Sequence, residues 1–253
     1  EGMRFTSAYA SSTVCSPSRA GLMTGQCPPR NGITDYLRPD SEWFIPLKEG
    51  GVADNELPDD TDFGLDADLV TLPQMFKSRG YATGMIGKWH LSGYDENGVM
   101  HGPEKYGFDD VRISEQVGIA GGSYFHPYNR VDESIEPVLG QDEYLVDRMN
   151  HEAVEFIKAD HSEPFFLYWS HYAVHTGLVG KREYVDYFSK KAGCEDVPYE
   201  ERGSIPQNNP VLAAMLKSID DGVGMIREAL VELGIAENTI IVFTSDNGGE
   251  TRV

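Results

Sequence analysis

The sequence has few positive charges and no long apolar run. It carries 21 lysines and arginines against 41 aspartates and glutamates, which gives a formal net charge of −20. A field of that sign repels DNA, RNA and sulfated compounds, so it argues against nucleic-acid binding and requires local cations or a metal to capture any anion. The apolar stretches are strand-sized, whereas a membrane-spanning helix needs about 20 apolar residues. The sequence therefore predicts no membrane span.

Cysteine is also scarce. Cys15, Cys27 and Cys194 are too few and too scattered for a disulfide framework, and they lack the spacing of a zinc site. With 253 residues, of which 40% are hydrophobic, the chain is long enough to be held by a buried core instead. Because it opens at Glu1 and ends nine residues after an apolar segment, we expect it to be part of a longer protein.

Helical patterns alternate with short apolar segments along the chain. The predicted helices cover about 72–79, 143–159 and 210–233, and the predicted strands cover 81–86, 164–169 and 239–244. This order is typical of an α/β fold with a mostly parallel sheet between helices. Residues 35–68, rich in Asp, Glu, Gly and Pro around Trp43, predict an acidic surface loop rather than a calcium loop, because Gly64 stands where a ligand is needed.

Residues 15–25, which read CSPSRAGLMTG, form the most informative segment. Ser16 can cap a helix, Pro17 suits its first turn and Gly25 can end it, so Cys15 is predicted to lie just before a helix N-terminus. Backbone N–H groups attract anions there, and Arg19 is close to the same point. From these residues alone, Cys15 is either a reactive thiolate or an ordinary buried cysteine.

A second segment, residues 87–91 with the sequence GKWHL, follows the predicted strand 81–86. If the chain stays extended, Lys88 and His90 point to the same side, so two cationic groups converge. A lysine stem packed at a strand end beside a buried histidine is the structural alternative. His171 and His175 follow the next predicted strand, and either can serve as a general acid, since an unperturbed histidine pKa is about 6.5.

A third segment, residues 245–249 with the sequence SDNGG, follows the predicted strand 239–244. At the carboxyl end of a buried parallel strand, the carboxylate of Asp246 and the amide oxygen of Asn247 suit a hard cation such as calcium or magnesium. The same residues are also common in hairpin turns.

Together these segments resemble the signature sequences of the type I formylglycine-dependent sulfatases, in the family's order. The match covers Cys-x-Pro-Ser-Arg with the following Leu-x-Thr-Gly, the lysine–histidine segment, and Ser-Asp-Asn-Gly-Gly. Residues 1–9 also resemble the family's lead-in strand. His175 matches a family histidine, although Val174 and Gly177 replace two prolines. The sequence departs from the family again at Ser92, which stands before Gly93.

The resemblance implies an alkaline-phosphatase-like sandwich with a mostly parallel central sheet between helices. Residues 1–253 are then a partial sulfatase catalytic domain, without an upstream strand that carries two aspartates and without a C-terminal domain. We expect the 253-residue chain to be inactive by itself for that reason. The family's frequent export further predicts a periplasmic, extracellular or lysosomal protein.

The resemblance also implies a nucleophile and a metal. A formylglycine-generating enzyme oxidises Cys15 to formylglycine, whose hydrated form attacks sulfur. Calcium, with magnesium as the alternative, is held by Asp246, Asn247 and the modified Cys15. The substrate is a sulfated small molecule or glycan.

The other implied roles are electrostatic and acid–base. Arg19 and Lys88 stabilise the sulfuryl oxygens, His175 protonates the leaving group and His90 takes the proton that releases sulfate. For His171 we favour packing or an indirect role.

Three alternatives remain open at this point. A phosphonate or phosphate ester hydrolase of the same superfamily shares the motif and the metal site. A catalytically silent protein that binds sulfated glycans keeps the anion pocket without oxidising Cys15. A thiol enzyme uses Cys15 directly with a histidine, but leaves Asp246 and Asn247 without a purpose.

Overall fold

The computed structural model describes residues 2–37, 64–94, 100–114, 123–128, 131, 134–159 and 162–249. Most of the predicted acidic loop, from residue 38 to 63, lies outside these ranges. The helices are α1 (Cys15–Thr24), α2 (Pro28–Asn31), α3 (Leu72–Lys77), α4 (Leu145–Lys158), α5 (Arg182–Ala192) and α6 (Pro210–Glu232). The strands are β1 (Ala82–Gly87), β2 (Gly93–Tyr94), β3 (Met100–His101), β4 (Asp110–Arg112) and β5 (Phe165–Ser170).

The central sheet of the described residues has the strand order β4-β1-β5, and both pairings are parallel. In register, Gly84 faces Asp110 on one side and Leu167 on the other. Strands β2 and β3 form a separate antiparallel pair. Because all three central strands run the same way, the loops that follow β1 and β5 leave the sheet at one edge.

Helices cover the sheet on both faces. On one face, α4 buries Met149 and Phe156 against the strands, and α6 packs on α4 with Met215 in the same buried cluster. On the other face, Met23 of α1 packs in a cluster with Trp89 and other aromatic side chains. The predicted α/β class with a parallel sheet between helices is confirmed. No helix in the described ranges is both long enough and apolar enough to cross a membrane.

The two longest helices begin where the sequence predicts, or close to it. Asn209 caps α6, because its Oδ1 accepts from the backbone N–H groups of Val211 and Leu212, each at 3.0 Å. Helix α4 starts two residues later than predicted, at Leu145, since the Glu143 carboxylate accepts from the backbone N–H groups of Val138 and Leu139. Leu145, Met149, Ala153 and Ile157 lie on one stripe of α4, and all four are buried.

Two predicted strands are wrong. Residues 239–244 pair with no strand in the described part of the chain, and the exposed fractions of Ile240, Val242 and Phe243 are 91%, 80% and 75%. The lead-in segment around Phe5 is likewise unpaired and exposed within the described ranges. A strand is stabilised by ladder partners and by burial of a face, so apolar composition alone does not produce one.

Candidate active site

Cys15 is the first residue of α1 rather than the residue before it, because Val14 occupies the N-cap position. The predicted cap at Ser16 is also wrong. Ser16 is fully buried and its hydroxyl accepts from the backbone N–H of Leu37 at 2.9 Å. The predicted end of the helix is correct, since Gly25 takes the left-handed conformation and its N–H donates to the Gly21 carbonyl at 2.9 Å. The thiol therefore lies at the N-terminal end of α1.

Lys88 and His90 both approach Cys15 from the end of β1. The extended path expected for them is wrong, because Gly87 has φ 98° and His90 has φ 59°. The turn after Gly87 is held to the end of β5 by a hydrogen bond, which the Lys88 N–H donates to the Ser170 carbonyl at 2.8 Å. The side chains of Lys88 and His90 are 2% and 4% exposed, and both interact electrostatically with the thiol.

The surroundings of Cys15 favour its thiolate. Burial raises the pKa of the thiol, but the His90 ring and the charge of Lys88 outweigh it and lower the pKa to about 7. Burial in turn lowers the pKa of His90, so its ring is neutral near pH 7. Reactive cysteines in proteins have thiols of this kind.

The tautomer of His90 follows from its backbone contact. Nε2 lies 2.7 Å from the carbonyl oxygen of Leu37, and a carbonyl can only accept, so Nε2 carries the proton. Nδ1 is then the basic nitrogen of the neutral ring. It is buried, and the interaction of the His90 ring with the Cys15 thiol favours the thiolate of Cys15.

Arg19 is 5% exposed and makes hydrogen bonds to several residues of the site. Its Nη1 donates to the Lys88 carbonyl at 2.7 Å and to the Ser170 hydroxyl at 2.6 Å. Its Nε and Nη2 donate to Asp246 Oδ2 at 3.0 and 2.7 Å. One guanidinium thus joins α1 to the ends of β1 and β5 and to residue 246.

Asp246 and Asn247 are therefore held at the site although residues 239–244 form no strand. Burial raises the pKa of Asp246, but the charges of Arg19 and Lys88 outweigh it and lower the pKa. Asn247 Oδ1 is buried and lacks a hydrogen-bond partner in the described part of the chain. An ionised carboxylate beside an unsatisfied amide oxygen fits a hard cation. Within the described ranges, no group of three or more His, Cys, Asp or Glu side chains is placed to hold a metal.

The two histidines after β5 differ in their surroundings. His175 is partly exposed, its Nδ1 lies 3.1 Å from the Thr176 hydroxyl, and its backbone N–H donates to the Tyr172 carbonyl at 3.0 Å. The ring of His171 contacts that of Trp169 in a tilted arrangement, with ring centroids 4.4 Å apart, and burial lowers the pKa of His171 to about 3. His171 is therefore neutral at physiological pH. The hydrogen bonds described for His175 join it to its chain neighbours Thr176 and Tyr172, not to Cys15, Lys88 or His90.

Ser170 and the backbone of Leu37 belong to the site but were missed by the sequence reasoning. Ser170 bonds to Arg19 through its hydroxyl and to Lys88 through its carbonyl. A serine that ends an otherwise apolar strand is the signal that could have pointed to it. Leu37 contacts Ser16 and His90 through its own backbone N–H and carbonyl, so no side-chain pattern in the sequence could predict these contacts.

The comparisons with known proteins point to one family. The Sulfatase family model matches residues 1–253. The chain is 31% identical to a mouse N-acetylgalactosamine-6-sulfatase, covering 98% of this chain and 44% of the relative, and 30% identical to an arylsulfatase of Hemicentrotus pulcherrimus, covering 98% and 41%. It thus spans less than half the length of these curated relatives.

A solved structure of a similar protein points to the same family. The putative sulfatase yidJ from Bacteroides fragilis superposes with a TM-score of 0.68 at 26% identity, covering 97% of this chain and 54% of that one. The expected alkaline-phosphatase-like sandwich is confirmed by this likeness. On the family model and these relatives, the chain belongs to the sulfatase family.

Proposed function

We propose that the protein hydrolyses sulfate monoesters with a nucleophile made from Cys15 by oxidation to formylglycine. The observation that carries the proposal is the convergence of two distant segments, around Lys88 and Asp246, on the helix that begins with Cys15. Lys88 and His90 interact with its thiol, and Arg19, one helical turn further on, is ion-paired to Asp246 at 2.7 Å. An anion-binding helix end, a buried lysine and a neutral histidine together suit attack on an anionic ester.

Lys88 and Arg19 have different tasks in this proposal. Arg19 makes four hydrogen bonds of 3.0 Å or less to Asp246, Ser170 and the Lys88 carbonyl, so it acts by its charge and by positioning its neighbours. Lys88 carries its ammonium next to Cys15 and contacts the sulfuryl oxygens as negative charge moves onto them.

From the protein's side chains, the acid–base steps require one proton donor and one acceptor. One hydroxyl of the hydrated aldehyde at residue 15 gives its proton to water as its oxygen bonds to sulfur, the S–O bond to the substrate alcohol breaks, and His175 protonates the alcohol oxygen as it leaves. His90 then removes the proton of the second hydroxyl through Nδ1, the C=O bond re-forms, and sulfate leaves with the electron pair of the C–O bond. The buried, neutral ring of His90 supports this assignment.

Calcium, or magnesium in its place, is the proposed metal, and Asp246, Asn247 and the modified Cys15 would hold it. The unsatisfied, buried Asn247 Oδ1 supports this set. When bound, the ion supplies positive charge that stabilises anionic oxygens at residue 15 and on the substrate.

The proposed substrate is a sulfated glycan or a smaller sulfate ester. The relatives' names, N-acetylgalactosamine-6-sulfatase and arylsulfatase, span both kinds. The formylglycine-generating enzyme is the proposed partner during biosynthesis, and export from the cytoplasm is the proposed location.

Peptide mass spectrometry across Cys15 tests the nucleophile, using the full-length protein that contains residues 1–253, made in a host that carries the modifying enzyme. A peptide lighter by the change from CH2–SH to CHO is expected, together with faster turnover of nitrophenyl sulfate than of nitrophenyl phosphonate. An unmodified thiol in the native organism would contradict the proposal. It would leave the silent glycan binder, or a thiol enzyme whose activity is lost on alkylation.

A Cys15→Ser variant tests the elimination step. Its single hydroxyl can accept sulfate but cannot re-form a carbonyl, so we expect one sulfation per chain and then arrest. Sustained turnover by this variant would contradict the mechanism, and intact-protein mass reads the outcome directly.

A further inference from the structure

A cavity of about 390 Å³ lies beside the N-terminal end of α4, separate from the Cys15 group. Its lining includes Phe125, Tyr144, Asp147 and Lys181. Helix α4 leads into β5, and the helix that precedes a strand of a parallel sheet begins at the edge where the strands end. The cavity therefore lies at the same edge as Lys88 and the loop that carries His175.

Direct contacts join the cavity wall to that loop. The Tyr144 hydroxyl donates to the Val179 carbonyl at 2.8 Å, and the Tyr124 hydroxyl donates to the Tyr172 carbonyl at 3.1 Å. Val179 and Tyr172 flank His175 in the chain. Tyr144 lines the cavity and Tyr124 is next in the chain to the lining residue Phe125, so the cavity wall is joined to the loop that carries His175.

One side of the cavity is aromatic. Phe125 is 36% exposed, its ring lies 5.0 Å from that of Tyr144, and the backbones of the two residues form an antiparallel bridge. The backbone bridge fixes where the exposed ring stands. An aromatic ring held in this way offers a flat apolar surface at little cost in side-chain entropy.

Another part of the lining is polar. Lys181 Nζ donates to the two carboxylate oxygens of Asp147 at 3.2 and 2.9 Å, and both side chains are partly buried. Glu143 is less available, because its oxygens accept from Tyr128, Arg148 and two backbone N–H groups. The Asp147–Lys181 pair therefore provides the main donor and acceptor groups on this side, with Gln141 and Asp142 at an exposed rim.

The charge of the lining selects against anions. Lys181 is already neutralised by Asp147, and Asp142 adds a further negative charge in a chain of net charge −20. A second sulfate or carboxylate group would be repelled there. A pyranose ring without charge fits better, because its C–H face can pack on Phe125 while its hydroxyls bond to Asp147 and Lys181.

We propose that this cavity binds an uncharged sugar ring of the substrate, adjacent to the residue that bears the sulfate ester. This inference rests on the proposed function and narrows it, since it makes the substrate an oligosaccharide with a neutral unit rather than a simple aryl sulfate. Phe125 and Asp147 are the specificity-determining residues of this second position.

Binding of unsulfated N-acetylgalactosamine, measured by saturation-transfer NMR on the whole 253-residue chain, tests the inference without requiring turnover. We expect millimolar binding that Phe125→Ala weakens about tenfold, as expected from losing one aromatic contact. Asp147→Asn removes the acceptor charge while keeping the shape, and is expected to weaken binding as well. Tyr187→Ala, which removes a 62% exposed aromatic ring of α5 outside the cavity lining, should leave binding unchanged.

The inference is overturned if the neutral sugar gives no saturation transfer, or if Phe125→Ala and Asp147→Asn both retain the signal. It is also overturned if 6-sulfated N-acetylgalactosamine binds this cavity more tightly than the neutral sugar. Failure of the proposed function looks different, since an unmodified Cys15 or absent sulfatase turnover leaves neutral-sugar binding at Phe125 measurable.

Discussion

At the scale of single residues, the site is governed by what surrounds one sulfur atom. Lys88 is 2% exposed and interacts with Cys15, and a lysine so placed cannot be screened by solvent as a surface lysine is. The sequence motif identified Lys88, His90 and Arg19 but not how they are held. Their geometry depends on Ser170 and the Leu37 backbone, whose contributions come from tertiary contacts.

Lys88→Met is expected to raise the pKa of the unmodified Cys15 thiol above its value of about 7, because it removes a positive charge that stabilises the thiolate. The rate of iodoacetamide alkylation against pH reports this pKa, and its midpoint should move to higher pH. Lys77→Met is the matched control, since Lys77 is half exposed and pairs with Asp109. An unchanged midpoint in Lys88→Met would show that His90 alone sets the thiol pKa.

Ser16→Ala is expected to weaken the hydrogen bond between the Leu37 carbonyl and the His90 ring. It leaves the Leu37 N–H without its acceptor, at a cost of about 1–3 kcal/mol in stability, and frees the Leu37 carbonyl that fixes the Nε2–H tautomer. The ¹⁵N chemical shifts of His90 should change from one tautomer to a mixture. Ser78→Ala removes an exposed hydroxyl that donates to the Met75 carbonyl, and should leave these shifts in place. A single unchanged tautomer in Ser16→Ala would show that Ser16 does not hold the Leu37 carbonyl against His90.

At the scale of elements, two neighbouring glycines of α6 should respond in opposite directions to alanine. A Cβ on Gly222 would overlap the side-chain amide of Asn150 on α4, whereas a Cβ on Gly224 meets nothing within 4 Å. We expect Gly222→Ala to destabilise by about 1–3 kcal/mol through overpacking. Gly224→Ala should stabilise by about 0.5–1 kcal/mol through helix propensity.

Urea unfolding followed by circular dichroism measures both changes in the free energy of unfolding. The two variants share a helix and a chemical change, so only the α4–α6 contact separates them. Equal effects would mean that α4 and α6 do not pack as closely as Gly222 and Asn150 indicate.

The elements that the sequence predicted correctly are those whose ends or buried faces are specified by residues within the element itself. Asn209 and Pro210 specify the start of α6, and the apolar stripe of α4 specifies its buried face. Residues 239–244 carry an equally clear strand composition, yet Ile240 and Val242 remain exposed. Strand formation depends on a partner strand, which a local sequence pattern cannot supply. The path after Gly87 also depends on a tertiary contact, the hydrogen bond from the Lys88 N–H to the Ser170 carbonyl.

At the scale of the whole molecule, the net charge of −20 opposes the approach of any sulfated ligand, while in the proposed function Lys88, together with Arg19 and its partner Asp246, would act on that ligand at short range. Salt separates the two effects, because the Debye length falls from about 30 Å at 0.01 M to about 8 Å at 0.15 M ionic strength. Distant carboxylates are screened over that range, but the buried cations near Cys15 are screened much less.

We therefore expect the association rate of nitrophenyl sulfate with the modified protein to rise as salt increases from 0.01 to 0.15 M. Stopped-flow measurements provide this rate, and N-acetylgalactosamine binding at the Phe125 cavity, which involves no charged ligand, serves as the control with little salt dependence. If association slows steadily with salt instead, the local field of Lys88 and Arg19 extends into solvent and outweighs the acidic surface. The acidic composition would then act on solubility alone, and capture of the sulfate ester would be steered from a distance.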